Sequence, residues 1–259
     1  MEVLQLAVWA DNYAYLICSG KKAVLVDGPE ASAIERALEE NGLELAAIWN
    51  THHHFDHVGA NRALLATRKI PVLAGARDKH RVPGITRALE DGESVFEGLG
   101  EGLEAQVLFV PGHTKGHIAY YLKAQGALFC GDTLFAGGCG RLFEGTALEM
   151  QPSLERLRSL PAETRVYCAH EYTLANLRFA LGVEPSNAEL QKRFASAQAL
   201  RAQNLSTVPS TIGEERATNP FLRWDSPEII GTAMERGGAK DAGPVSVFAA
   251  IRKMKDDFS

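Results

Sequence analysis

No stretch of this 259-residue chain approaches the roughly twenty apolar residues that a helix needs to cross a bilayer; the runs at 23–26, 45–49 and 107–110 are far shorter. No membrane association is therefore expected. A surplus of positive charge is also missing: 27 Lys and Arg face 32 Asp and Glu, for a formal charge of −5. A dedicated nucleic-acid binder would need that surplus for its phosphate contacts. Cysteine is sparse. Cys18, Cys130, Cys139 and Cys168 form no C-x-x-C pair and no metal-ligand spacing. The opening residues lack a basic stretch followed by an apolar core, so no signal peptide and a reducing, cytoplasmic compartment are expected. A monomer is the expected state. With 46% hydrophobic residues, the composition is too apolar for disorder to be the main state.

What is present reads in two parts. β-rich runs at 3–9, 13–18 and 23–26 are separated by turn signals, and residues 30–41 carry Ile34, Ala37 and Leu38 on one helical face before Gly42. A buried-type strand at 45–50 leads into a histidine cluster, and a helix is expected over 58–68. Further strands are expected at 72–74, 107–110, 118–122, 127–130 and 165–168. After about residue 173 the pattern is helical, at 174–181, 187–204, 227–236 and 245–257, with no convincing strand after Cys168. The expectation is an α/β domain over 1–172 followed by a smaller all-α domain over 173–259.

Four of the eight histidines fall within THHHFDH (51–57). His52 and His54 are two apart at the end of a strand, so alternation puts both on one side, able to bind one cation through neutral imidazoles. Asp56 and His57 follow where the chain turns into a helix and can point at a second centre. His113, Asp132 and His170 each sit just after a strand, the position from which α/β folds present site residues. Five histidines and two aspartates suffice for two cations that share one carboxylate. A solvated histidine loop is the plain alternative for the first cluster alone, but it does not account for the later residues at strand ends. His53 alternates away from its neighbours and His80 lies in a charged stretch. His117 reads as structural or as a support for a ligand.

The motif THHHFDH resembles that of the metallo-β-lactamase superfamily, whose fold is an αββα sandwich. More narrowly, the whole chain is similar to the glyoxalase II (hydroxyacylglutathione hydrolase) family. The resemblance extends to GHTKGHI (112–118), GDTLFAGGCGR (131–141), EGTA (144–147), HEYT (170–173), VEPSN (183–187), TNPFLR (218–223) and IRKMKDDF (251–258). It implies that His52, His54 and His113 ligate one metal, that Asp56, His57 and His170 ligate another, and that Asp132 bridges them, with Asp56 and Asp132 part of the catalytic machinery. It also implies glutathione contacts from Arg141, Phe143, Tyr172, Arg252 and Lys255. Phe143 stands where tyrosine is common, which removes a hydroxyl contact and keeps an aromatic wall. Asp27, in DGP (27–29), is expected to orient a ligand. By spacing alone, Arg252 and Lys255 read as an ordinary solvated helix face.

The implied reaction is hydrolysis of an S-(2-hydroxyacyl)glutathione, such as S-D-lactoylglutathione, to glutathione and D-lactate, the second step of methylglyoxal detoxification. Two divalent ions that share a water lower its pKa from about 15.7 toward about 7, and the bridging hydroxide attacks the thioester carbonyl. A thiolate, whose parent pKa is about 8.5, leaves without a strong general acid. Zinc is the expected metal, with iron or manganese as alternatives because such donor sets accept all three. The competing readings are another enzyme of the same fold, such as a persulfide dioxygenase with one iron, and a metal-binding protein without catalysis.

Overall fold

Near-continuous apolar runs behave as strands covered on both faces, and the segments at 23–26 and 72–75 do so, with every residue buried. The computed structural model describes residues 1–100 and 102–258. Two compact units divide the chain: Met1–Phe109 with Lys115–Gly131, and Val110–Thr114 with the chain from Asp132 onward.

The first unit contains β1 (Glu2–Val8), β2 (Asn12–Ser19), β3 (Lys22–Val26), α1 (Ala31–Glu40), β4 (Glu44–Trp49), α2 (Phe55–Val58), α3 (Asn61–Leu65), β5 (Val72–Gly75), β6 (Arg87–Leu89), β7 (Ser94–Val95), β8 (Ala105–Phe109), β9 (Ile118–Leu122) and β10 (Ala127–Gly131). One sheet has the order β1-β2-β3-β4-β5-β6, antiparallel up to β3 and parallel beyond it. A second, antiparallel set runs β10-β9-β8-β7. Ile34, Ala37 and Leu38 recur at helical spacing along α1 and are buried. With Leu64 of α3 they cover one face of the first sheet, against Leu16, Leu25, Ile48 and Val72. Burying one such side chain contributes about 1.5–3 kcal/mol. The other face meets the second set of strands, where Trp49 packs on Tyr120 at 4.9 Å between ring centroids and Tyr15 on Phe129 at 5.5 Å. The Tyr120 hydroxyl donates to the backbone oxygen of Asn50 at 3.0 Å, so this aromatic layer also anchors the chain where it enters the histidine segment.

The single helix expected at 58–68 is two short ones. The chain turns between them because the amide of Ala60 donates to the Gly28 carbonyl and a side chain at Gly59 would strike the Pro29 carbonyl.

The second unit contains β11 (Leu134–Phe135), β12 (Gly138–Cys139), α4 (Ala147–Arg158), β13 (Arg165–Cys168), α5 (Thr173–Val183), α6 (Ala188–Ala202), β14 (Ser210–Thr211), α7 (Ile212–Thr218), α8 (Pro227–Glu235) and α9 (Pro244–Asp256). Thr146 and Glu149 form a capping box at the start of α4, Asn187 caps α6, and prolines open α8 and α9; these are favoured helix starts. Leu177 and Ala180 of α5 pack on Leu190 and Ala197 of α6. Four short elements of this unit escaped the sequence pattern, the two-residue strands β11 and β12 among them. The two residues of β14 pair antiparallel with β13, contrary to the expectation of no strand after Cys168, and α7 is too short to show a periodicity. The buried Glu215 of α7 accepts from Arg193 of α6 and from the Gly137 amide, which ties the β11–β12 turn to the helices. Among the described residues no helix is long and apolar enough to cross a membrane.

Candidate functional site

Each unit carries its own set of the residues singled out above. In the first unit, β4 ends at Trp49, and buried hydrogen bonds hold Asn50, Thr51 and His57 in the segment that follows. Asn50 donates its side-chain amide to the His57 carbonyl at 2.9 Å and accepts from Asn61 at 2.8 Å. Asp27, in the left-handed region at φ 53°, accepts from the Thr51 amide at 2.9 Å, the Thr51 hydroxyl at 2.7 Å and His57 Nδ1 at 2.9 Å. Asp tolerates that conformation better than most residues, and strain of this kind clusters at functional sites.

Those bonds fix the imidazole tautomers. The Thr51 hydroxyl spends its proton on Asp27, so it accepts from His52 Nδ1 at 3.1 Å. His52 and His57 therefore both carry hydrogen on Nδ1 and offer Nε2 as an acceptor. His52 Nε2 lies 3.0 Å from His54 Nδ1, and His57 Nε2 lies 3.5 Å from Asp56 Oδ2, which also accepts from Asn12 at 3.1 Å. His52 packs between its neighbours, with ring centroids 4.0 Å from His57 and 4.6 Å from His117, the latter stacked at 19°. His117 thus supports a ligand candidate. His80 is exposed. His53 is not idle: its ring is tied to Asp78 and Arg81.

In the second unit Asp132 follows β10, and its two oxygens serve two imidazoles. His113 Nε2 lies 3.4 Å from Oδ2, and His170 Nε2 lies 3.4 Å from Oδ1. His113 Nδ1 donates to the Arg141 carbonyl at 2.9 Å, which again leaves Nε2 as an acceptor. A side chain at Gly140 would come within 1.9 Å of the Asp132 carbonyl, so only glycine fits beside the two ligands. Tyr172 stacks on His170 at 4.8 Å and 1°, and Phe143 meets His113 edge-on at 5.2 Å.

Also within this unit is a cavity of about 450 Å³ whose lining includes His113, Asp132, Arg141, Phe143, Tyr172 and Lys255. Arg252 lines it too, and it is not the solvated cation that spacing alone suggests. It is 4% exposed and donates to the Cys139 carbonyl at 2.9 Å and to Asp256 at 3.0 Å. Lys255 is half-buried, with its ammonium 5.5 Å from the ring centre of Phe179 and 5.3 Å from that of Phe258. Burial first, then Arg252 and Arg141, holds Lys255 below the ordinary lysine pKa. Sequence reasoning missed Asn12, Asp78 and Phe258. Only Phe258 had a local signal, its place in the IRKMKDDF segment.

Nitrogen and carboxylate acceptors that face one another at 3.4–3.5 Å repel unless a cation or a proton lies between them. Within the first unit, the donor atoms of His52 and His54, of His52 and His57, and of Asp56 and His57 come within 4.8 Å of each other. Imidazole–carboxylate sets with the second ring nitrogen tied down suit zinc, iron or manganese, so the residues fit metal ions. Cys139 and Cys168 offer no competing thiolate. Burial pushes their thiols up to about 11 and about 12.

Two family models match the chain: one described as the metallo-beta-lactamase superfamily over residues 8–170, and one described as the hydroxyacylglutathione hydrolase C-terminus over 171–258. A curated hydroxyacylglutathione hydrolase of Gloeobacter violaceus is 54% identical over 261 residues, with 100% of both chains covered. Among solved structures, the BLEG-1 B3 metallo-beta-lactamase is 26% identical with a TM-score of 0.66, covering 86% of this chain and 100% of its own. The di-iron-bound form of TTHA1623 is 30% identical with a TM-score of 0.60, at the same coverage.

Proposed function

Since this chain belongs to the metallo-beta-lactamase superfamily and, within it, to the hydroxyacylglutathione hydrolases, we propose that it is a binuclear thioesterase acting on S-(2-hydroxyacyl)glutathione, with S-D-lactoylglutathione as the reference substrate. Thioester hydrolysis is the activity of the family to which it belongs. The finer assignment follows the resemblance: His52, His54 and His113 at one ion, Asp56, His57 and His170 at the other, and Asp132 shared. Residues 1–172 would supply metal binding and residues 173–259 the helices that hold the peptide. Zinc is the metal we assign, with iron or manganese as alternatives. We infer a cytosolic, monomeric enzyme; the four buried free thiols support the reducing compartment.

The observation that carries this reading is Asp132, which faces an imidazole with each oxygen while lining the same cavity as Lys255 and Arg252. Paired ions lower the pKa of a shared water and polarise a thioester carbonyl. The protein's part is orientation and charge. Asp27 and the Arg141 carbonyl lock the imidazoles with Nε2 outward. Asp132 would be the carboxylate shared by the two ions, and its fixed place between His113 and His170 would help set their spacing. Arg141 and Lys255 would receive the carboxylates of glutathione, and Arg252 would line the same wall. The thiolate of glutathione leaves unaided at neutral pH, so no further acid is required.

The test is hydrolysis of S-D-lactoylglutathione by the purified chain, with elemental analysis of the same sample. Release of free thiol by protein with close to two metals per chain is expected. Full activity at one metal per chain, or oxygen consumption in place of hydrolysis, contradicts the reading.

A further inference from the structure

His53 lies between His52 and His54 in the chain, yet both its own ring nitrogens are engaged elsewhere. Nε2 lies 3.1 Å from Arg81 Nη1. A guanidinium can only donate, so Nε2 accepts and the ring hydrogen sits on Nδ1. That hydrogen is directed at Asp78 Oδ2, 3.1 Å away. The other oxygen of Asp78 accepts from Arg81 Nη2 at 2.5 Å, which closes a three-membered ring of aspartate, histidine and arginine. Asp78 has no exposed surface, and its backbone carbonyl also accepts from the amides of Arg81 and Val82 at 2.8 and 3.1 Å.

The same carboxylate reaches the other side of His52. A side chain at Gly116 would come within 2.1 Å of Asp78 Oδ1, so the Gly116 backbone packs directly on Asp78. The residue after it, His117, stacks on His52. Asp78 therefore touches the residue after His52 in the chain and also the segment that presses on its ring.

We infer that Asp78, closed into a ring with His53 and Arg81, is a positioning residue that holds His52 and His54 in the geometry for a metal ion. It acts through the backbone of His53 and through the Gly116–His117 segment, and it touches neither metal nor substrate. The inference rests on the proposed reading of His52 and His54 as ligands of one ion. Freed from Asp78, His53 regains rotamer freedom and the chain between the two ligands loosens, so the ordering that was built into the apo protein must be supplied by the metal. Supporting partners of metal ligands typically change affinity by roughly 10- to 100-fold. Alternation alone turns His53 away from its neighbours and would make its loss nearly silent.

The experiment uses the full chain stripped of metal, with zinc as the probe and chelator competition as the readout. Asp78→Ala and His53→Ala should each bind zinc roughly 10- to 100-fold more weakly than wild type, and Arg81→Ala, at the partly exposed corner of the ring, less so. Nitrogen NMR of the apo wild type should show His53 with its hydrogen on Nδ1. Should Asp78→Ala fail to fold, His53→Ala decides, because that residue sits nearer the surface; its melting transition is recorded beside the affinity. A folded His53→Ala protein with zinc affinity within twofold of wild type overturns the inference, as does the opposite tautomer. Wild-type protein that binds no zinc, iron or manganese at all would instead overturn the proposed function.

Discussion

After β4, His52 and His57 are buried and each has one ring nitrogen tied to a neighbour, whereas on α9 Lys255 is half-buried and rests over the rings of Phe179 and Phe258. The histidine segment is over-determined, since Asp27 alone accepts three of its hydrogen bonds. The lysine is held by ring faces and by its own stem, which constrain position loosely. The two arrangements suit different tasks. A metal requires donor atoms at fixed distances, so orientation must be set before it arrives. A flexible peptide with carboxylates requires only that charge be near, and a mobile ammonium tracks it. Arg252, on the same helix as Lys255, sides with the histidines: buried, bonded to a backbone carbonyl, and fixed.

The contrast is broken most severely at Asp132, which serves two imidazoles at once. Asp132→Ala should lower metal content and abolish thioester hydrolysis, a larger loss than the roughly 10- to 100-fold typical of a supporting residue. Elemental analysis with the activity assay checks it, and wild-type metal content in the variant contradicts the bridging role. Next comes Asp27→Ala, which releases both His52 and His57 from their tautomers. Metal affinity should fall by roughly 10- to 100-fold in a chelator competition, even though residue 27 donates nothing to the ion.

Smaller effects are expected on α9, and there the two cations should separate. Lys255→Ala should raise KM by about tenfold and leave kcat comparatively unchanged, the lower end of a charge-assisted bond worth about 1.5–3 kcal/mol. Arg252→Ala should raise KM and also lower Tm, because it removes buried hydrogen bonds to Cys139 and Asp256. Identical stability of the two variants would erase the distinction. The smallest effect is a pH dependence. Burial and the neighbouring Arg252 and Arg141 hold the Lys255 pKa below the ordinary lysine value, and only the ammonium attracts carboxylate. KM should therefore be flat at lower pH and rise as pH climbs through that lowered value. Lys255→Arg, which stays charged, should remove the rise.

The ligand candidates were legible because their pattern is local. Within THHHFDH the spacing puts donors on one side of a strand end and the start of a helix, and His113, Asp132 and His170 each follow an apolar run that announces a strand. Likewise α1, α5, α6, α8 and α9 were visible from periodicity, whereas α7 and β14 were too short to show one. Of the residues that orient the ligands, Asp27 was expected from the DGP motif within the family resemblance, whereas Asp78 had no such signal. Asp27 lies 30 positions from His57, and Asp78 lies 25 from His53.

By itself, then, the sequence determined which side chains could bind metal and the family to which the chain belongs, because both follow from residue type and short-range order, whereas a peptide role for Arg252 and Lys255 was implied only by the resemblance. Tertiary structure alone decided which nitrogen of each imidazole carries the proton, since that depends on partners brought from distant strands. It decided, too, that Arg252 is buried while Lys255 stays half-open, although both lie three residues apart on one helix. Spacing fixes the face of a helix on which a side chain stands; what that face packs against, here the Cys139 carbonyl 113 positions away, is set only when the chain has folded.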